Sequence, residues 1–254
     1  MPGESDEYML TINELERYDG QIMLANIGKK GQEKLKKTRV FIAGTGGLGS
    51  PLAIYLTAAG VGKICVVDHD RVELSNLNRQ ILHWDEDVGK KKAASATEKL
   101  KKINHEVKIE AIEETITDTN VFQLIADFDV IVDAMDNLPT RYLLNKAAIE
   151  KNIPFFHGAV YGFEGRAMTI IPGKTACLGC VYRRDIPKEK FPVIGVTPAV
   201  IGCIQAAEVI KYIVEIGELL KNRLLIYDGL DMKFTEFKVK KDPQCEYCGH
   251  VRKG

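Results

Sequence analysis

The sequence predicts an α/β protein, a doubly wound and mostly parallel sheet lengthened on one side by antiparallel strands. Three features of the 254 residues predict it. Short apolar runs ending in glycine or aspartate alternate with helical stretches over about the first 150 residues, the pattern of strands joined by crossover helices. Beyond Lys151 the texture becomes glycine-rich and β-like. Two C-x-x-C pairs, far apart in the chain, then add a metal-ligand pattern to the second part.

Taken in order, residues 11–36 read as helical, with Leu15, Ile22, Met23 and Ile27 at rough helical spacing and Gly28 as an interruption. RVFIA at 39–43 is a short apolar run ending in glycines, which marks a buried strand. A helix follows over 51–59 and a second strand, KICVVD, over 63–68. Residues 90–102 are rich in lysine and alanine and predict a solvated helix. Further strands are expected at 107–110 and 130–134, separated by a helix near 119–127. The segment 154–173 (PFFHGAVYGFEGRAMTIIPG) reads as β structure, 198–216 as a helix, and LLIYDG and MKFTEFKVKK as closing strands. Residues 1–254 are expected to form one domain, about 1–150 a nucleotide half and about 151–254 a substrate and zinc half.

Composition narrows the class. Apolar residues make up 45% and charged residues 28%, ordinary for a globular chain. Basic and acidic residues balance at 35 each, so no global field recruits nucleic acid or membrane. The first twenty residues lack the basic-then-apolar pattern of a signal peptide. No apolar stretch approaches the roughly 20 residues that cross a bilayer. A cytoplasmic protein is expected, with its cysteines reduced, metal-bound or catalytic.

Gly44-Thr45-Gly46-Gly47-Leu48-Gly49 follows a strand and opens a helix, a Rossmann-like arrangement. Glycines turn the chain tightly and let backbone N–H groups reach a phosphate at the helix N-terminus. Asp68, roughly 20 residues on, is placed to bond ribose hydroxyls. This much fits NAD, FAD or ATP equally. Arg79 and Lys92 then bring two cations to the same strand ends. A triphosphate split at its α-phosphate needs such charge; hydride transfer does not. Asp136-Asn137 follows VIVDA at another carboxyl end of the sheet, where a carboxylate suits Mg²⁺. Blander readings exist: Lys92 beside Lys90 and Lys91 could be a solvated charge, and Asp136 could be the N-cap of the next helix.

RYDGQI, GTGGLGSPLAIYLTAAGVGKICVVDHDRVELSNLNRQ, VGKKK, DAMDNLPTRYLLN, HGAVYGFEGRA, CLGC, GCIQAAEVIK and CEYC occur in family order over nearly the whole chain. In these stretches the chain resembles the MoeB/ThiF/HesA group, which shares its adenylation domain with ubiquitin-activating E1 enzymes. The resemblance implies an adenylyltransferase using ATP and Mg²⁺ on the C-terminal Gly-Gly carboxylate of a small ubiquitin-like sulfur carrier, as in molybdopterin or thiamine biosynthesis. It implies nucleotide contacts from Gly44, Gly46, Gly47, Gly49, Asp68, Asp70, Ser75, Asn76, Leu77, Asn78, Arg79, Lys92, Asp136 and Asn137, with Arg79, Lys92 and Asp136 catalytic. A homodimer is implied too. Relatives commonly carry arginine where this chain has Gly20, and that arginine reaches the neighbouring subunit's ATP; Arg17, Lys29 and Lys30 are the nearby cations. Adenylation of a small carboxylate on tRNA and a dinucleotide-dependent oxidoreductase are the alternatives, the former weakened by the neutral charge.

Cys177, Cys180, Cys245 and Cys248 form two knuckles, the ligand set of a tetrahedral zinc site. The resemblance supports pairing them; a redox pair or free thiols are the other readings. Four thiolates leave no open position, so the zinc would be structural. Cys65 and Cys203 read as buried packing residues. Between Cys180 and Pro198 there is no cysteine, so no covalent intermediate is expected on that crossover segment. The five histidines show no ligand spacing, and Trp84 reads as core or dimer surface.

Overall fold

Tyr18, which leaves the helical conformation, and the left-handed Gly28 break the N-terminal helical stretch into three pieces: α1 (Ile12–Arg17), α2 (Asp19–Ile22) and α3 (Gly28–Lys37). Thr11 and Glu14 cap α1 reciprocally, Glu14 N–H donating to Thr11 Oγ1 at 3.2 Å and Thr11 N–H to Glu14 Oε2 at 2.8 Å. The computed structural model describes residues 9–182 and 192–250. The cysteine-free crossover segment falls largely in 183–191, outside the described residues.

The first part then alternates as expected. β1 (Arg39–Ala43), α4 (Gly49–Ala58) and β2 (Lys63–Val67) are followed by two 3₁₀ turns at 74–76 and 85–87. Next come α5 (Lys92–Ile103), β3 (Lys108–Ile112), α6 (Val121–Leu124), β4 (Val130–Asp133) and α7 (Leu138–Lys151). The second part adds β5 (Phe155–Tyr161), β6 (Glu164–Ile170), α8 (Leu178–Val181), α9 (Val196–Val214), β7 (Arg223–Asp228) and β8 (Lys233–Lys238). All eight strands form one sheet in the order β3-β2-β1-β4-β5-β6-β7-β8. The five strands from β3 to β5 pair in parallel, and β5 to β8 pair antiparallel.

Both faces of the parallel part are covered, which is why its strands are apolar on both sides. Along β1, Val40 and Ile42 face a layer built with Leu35, Leu52, Leu100 and Val209 from α3, α4, α5 and α9. Phe41 and Ala43 face the other layer, with Val121 and Leu144 from α6 and α7. The chain winds outward from β1 through β2 to β3, then returns to β4 on the other side of β1. The carboxyl ends of β1 and β4 therefore flank a switch-point crevice, the place where open α/β sheets bind ligands.

Three expectations change. The helix near 119–127 shrinks to the single turn α6. α5 is not wholly solvated: Lys92, Ala93, Ala96, Lys99 and Leu100 form a buried face. And α9, at 19 residues with a mean hydropathy of 1.3, is long and apolar enough to cross a bilayer. It is instead a core helix of the sheet, where the buried Gln205 amide donates to the backbone oxygens of Asp133 (2.8 Å) and Phe156 (3.1 Å).

Candidate active site

The glycine loop turns where β1 ends. Gly44 sits at φ +95°, and a Cβ there would lie 2.7 Å from the Ala134 carbonyl oxygen at the end of β4. A Cβ on Gly49 would lie 2.0 Å from the Gly44 carbonyl oxygen. Only glycine lets the loop close this tightly against its neighbours. The loop is tied to β2 through Asp68, which accepts from Thr45 N–H at 2.9 Å and Thr45 Oγ1 at 3.0 Å, and from Asp70 N–H at 3.0 Å. A carboxylate offers about four acceptor positions, so Asp68 keeps room for one further hydroxyl.

Lys92 opens α5 with its side chain only 8% exposed, its Nζ 3.0 Å from the half-exposed carboxylate of Asp70. The solvated-charge reading of Lys92 is therefore wrong. Lys90 and Lys91 do lie at the surface, donating to Asp87 and to the His69 carbonyl oxygen. Hydrogen bonds thus connect Thr45, Asp68, Asp70 and Lys92 in series from β1 through β2 to α5.

The segment between the two 3₁₀ turns is fixed from within. Asn76 is buried and its Oδ1 accepts the Glu73 N–H at 3.0 Å, while Ser75 Oγ donates to Glu73 Oε2 at 3.1 Å. Arg79 Nη1 donates to the Ser75 carbonyl oxygen at 3.0 Å and to Asn78 Oδ1 at 2.9 Å. Leu77 is half-buried and Asn78 exposed. A Cβ added to Gly47 would lie 3.5 Å from Arg79 Cγ and 3.1 Å from Pro198 of α9, so this segment packs onto the glycine loop.

At the end of β4, Asn137 rather than Asp136 caps α7, its Oδ1 accepting Thr140 N–H at 3.0 Å. The N-cap reading of Asp136 is overturned. Asp136 is exposed, and its carboxylate has no hydrogen-bond or ion-pair partner among the described residues. A carboxylate free of protein partners is what a divalent cation needs.

Sequence reasoning gave no partners to the residues that lie underneath. His83 is buried behind the loop, with Nε2 3.2 Å from the Thr45 carbonyl oxygen and Nδ1 3.0 Å from Ser95 Oγ. The carbonyl can only accept, so Nε2 carries the proton and Ser95 donates to Nδ1. Burial holds His83 below its ordinary value. Asp87 is wholly buried and bonds Lys99 and Lys90; burial alone would raise its pKa, but these two ammonium groups hold it well below the usual range. Trp84 is half-exposed, with Lys99 Nζ 5.0 Å from its ring centroid. A polar residue inside an otherwise apolar strand was the available signal for two others, Asp133 and His157.

The four cysteines converge. Their Sγ atoms lie within 4.8 Å of one another, with Cys177–Cys245 at 3.6 Å, Cys180–Cys248 at 3.5 Å and Cys177–Cys180 at 4.0 Å. A zinc–sulfur bond of about 2.3 Å in a tetrahedron puts sulfurs about 3.8 Å apart, so the cluster fits zinc; a disulfide would need about 2 Å. Asp242 N–H donates to Cys180 Sγ at 3.4 Å. Burial, then the neighbouring thiolates, push Cys177 up to about 12, so four ionised sulfurs together require a cation. Cys65 is buried as expected, with its thiol pushed up to about 12. Cys203 is only half-buried and lines an apolar groove with Ala199, Val200 and Phe234, not a packed core.

The ThiF family model matches residues 18–247. The chain is 43% identical over 246 residues to the SAMP-activating enzyme E1 of Haloferax volcanii, covering 94% of this chain and 91% of that protein. It is 41% identical over 250 residues to a sulfur carrier protein adenylyltransferase of Thermus thermophilus, covering 94% and 92%. Among solved structures, Escherichia coli MccB in complex with ATP superposes with a TM-score of 0.80 at 27% identity, over 87% of this chain and 69% of that one. Escherichia coli MccB with MccA-N7isoASN superposes with a TM-score of 0.85 at 26% identity, over 96% and 77%. The glycine loop, the crevice and the cysteine cluster therefore belong to an E1-like adenylyltransferase, and the chain is a member of the ThiF family.

Proposed function

We propose that the chain uses ATP to adenylate the C-terminal glycine carboxylate of a small ubiquitin-like sulfur-carrier protein, releasing pyrophosphate. The observation that carries this is a buried lysine, Lys92, bonded to Asp70 beyond β2, on the same carboxyl side of the parallel strands as the exposed Asp136, whose carboxylate has no partner among the described residues. The names of the Haloferax and Thermus relatives support a carrier protein as acceptor, and the ATP complex of MccB supports the nucleotide. So does the surface: Leu230, Met232, Phe234 and Phe237 are each more than half exposed around β8, beside the apolar groove of α9. A protein partner, unlike a small acid, can cover such area. A homodimer belongs to the same reading.

In the reaction a carboxylate oxygen attacks the α-phosphorus, the α–β phosphoanhydride bond breaks, and an acyl adenylate and pyrophosphate form. A carboxyl group near pKa 4 is already ionised at neutral pH, so no general base is required. The enzyme's task is alignment and neutralisation of charge. Backbone N–H groups of Gly46, Gly47 and Gly49 face the phosphates, and Asp68 spends its remaining acceptor position on ribose. Lys92 exchanges Asp70 for the triphosphate, Arg79 supplies the second cation, and Asp136 would hold Mg²⁺, which neutralises phosphate charge when bound. Ser75 to Asn78 shape the wall beside Arg79, and Asn137 orients the Asp136 turn. Cys177, Cys180, Cys245 and Cys248 would hold a structural zinc.

ATP–pyrophosphate exchange with purified protein tests this, using candidate carriers ending in Gly-Gly against tRNA and free amino acids. Exchange that disappears when the last glycine is deleted is the expected result. Exchange driven by tRNA or a free acid would replace the acceptor.

A further inference from the structure

Behind the Asp136 turn lies a buried chain of polar side chains that the proposed chemistry does not use. Asp133, the last residue of β4, has a fully buried side chain. Its Oδ1 accepts the Met135 N–H at 3.0 Å, and its Oδ2 lies 2.7 Å from Nδ1 of the buried His157 on β5. Nε2 of His157 lies 3.2 Å from the Tyr182 hydroxyl, at the end of α8. From α7, Arg141 donates Nε to the Met135 carbonyl oxygen at 3.1 Å, Nη2 bonds the same oxygen, and Nε lies 3.5 Å from Asp133 Oδ2.

The proton positions follow from the partners. A carboxylate only accepts, so Nδ1 of His157 carries the hydrogen; burial favours the neutral ring, whose Nε2 must then accept from the Tyr182 hydroxyl. Every donor in the series has one direction in which to point. Tyr182 is itself anchored, since Tyr142 of α7 donates its hydroxyl to the Tyr182 carbonyl oxygen at 2.6 Å.

Burying a carboxylate, an imidazole and a guanidinium together is a poor way to gain stability, because apolar side chains of the same volume do as well or better. What the arrangement supplies is geometry. Both polar atoms of Met135, its N–H and its C=O, are held, and that carbonyl belongs to the peptide bond leading into Asp136.

We propose that Asp133, His157, Tyr182 and Arg141 are positioning residues that fix the Met135–Asp136 peptide, and so aim the Asp136 carboxylate, from the turn that follows Cys180. The inference rests on the assignment of Asp136 to the Mg·ATP site made above.

The test uses the full-length protein and two measurements, Mg²⁺-dependent ATP affinity by calorimetry and thermal melting with zinc content. Tyr182→Phe removes one oxygen. His157→Leu breaks the series, and His157→Asn offers an amide N–H near the place of Nδ1. Tyr182→Phe and His157→Leu should weaken the Mg²⁺-dependent part of ATP affinity about tenfold, with zinc unchanged, and His157→Asn should recover part of the loss. In an Asp136→Ala background Tyr182→Phe should cost nothing further. Wild-type Mg²⁺ dependence in both variants overturns the proposal, whether or not melting falls, and so does a Tyr182→Phe effect that persists undiminished without Asp136. If Asp136→Ala alone leaves Mg²⁺-dependent affinity intact, the site assignment itself fails, a result separate from the other two.

Discussion

Lys92 is a charge kept out of water at the edge of a crevice, with Asp70 as its ion-pair partner. Losing a donor of this kind, aimed where phosphate charge develops, typically costs about 10²–10³ in rate. Lys92→Ala should therefore lower pyrophosphate exchange by at least about 100-fold. The control is Lys91→Ala, whose Nζ bonds only the His69 carbonyl oxygen at the surface and which should change exchange by less than about threefold. Equal losses in the two would remove Lys92 from the proposed site. His83 makes a different prediction. Its folded pKa is lowered, chiefly by burial, so the native state resists a proton that the unfolded chain takes up near pH 6.5. The contribution is complete above that pH and is lost as pH falls, with a slope of at most about 1.4 kcal/mol per pH unit. Melting temperature measured from pH 7.5 to pH 5 should decline less steeply in His83→Asn than in the wild type.

Among the elements, the glycine turn and α2 respond oppositely to an added side chain. A Cβ on Gly49 meets backbone, not a yielding side chain, so Gly49→Ala should displace the loop, lower melting by several degrees and weaken ATP binding at least tenfold. Around Gly20 nothing lies within 4 Å of a built Cβ. Gly20→Arg should raise helix stability by up to about 1 kcal/mol and tighten ATP binding in the dimer if the new guanidinium reaches the neighbouring site; circular dichroism melts and calorimetry read both. The contrast also explains what a single sequence could tell. β1, β2 and β4 were readable because an all-apolar run closed by glycine or aspartate has few other uses. α5 was misread because Lys92 and Lys99 look solvated locally, while their partners Asp70 and Asp87 stand 22 and 12 residues away. Asp133 and His157 are polar residues in apolar strands, a signal the sequence reading did not use, and their partnership depends on β4 lying beside β5 in register, which no local pattern encodes. The glycine loop, Arg79, Lys92 and Asp136 were visible as residue types at strand ends; the supporting contacts of Thr45, His83 and Arg141 were not.

At the scale of the molecule, the cysteine cluster joins parts that the chain keeps far apart. Cys177 and Cys245 are 68 residues apart, yet all four cysteines belong to the same buried cluster as Phe41, Ile131 and Phe155 of the central sheet. Tyr247 stacks on Tyr142 of α7 with ring centroids 5.5 Å apart, so the knuckle is also held by packing. A cross-link closing a loop of that length restricts the unfolded chain by about 4 kcal/mol in the chain-entropy picture. For a protein of this size each kcal/mol moves the melting temperature by about 2–4 °C. Cys245→Ser should therefore lose bound zinc, measured by atomic emission, and melt roughly 10 °C lower. Chelator should lower the wild type by a similar amount while leaving Cys245→Ser nearly unmoved, because the same clip cannot be removed twice. The switch-point crevice, the proposed nucleotide site, lies at the carboxyl ends of β1 and β4, between the Gly44–Gly49 turn and the Asp136 turn. At a temperature where the variant is still folded, ATP affinity should therefore fall far less than stability does. A full loss of ATP binding together with the zinc, in protein that remains folded, would show that the knuckle is part of the nucleotide site and not a clip behind it.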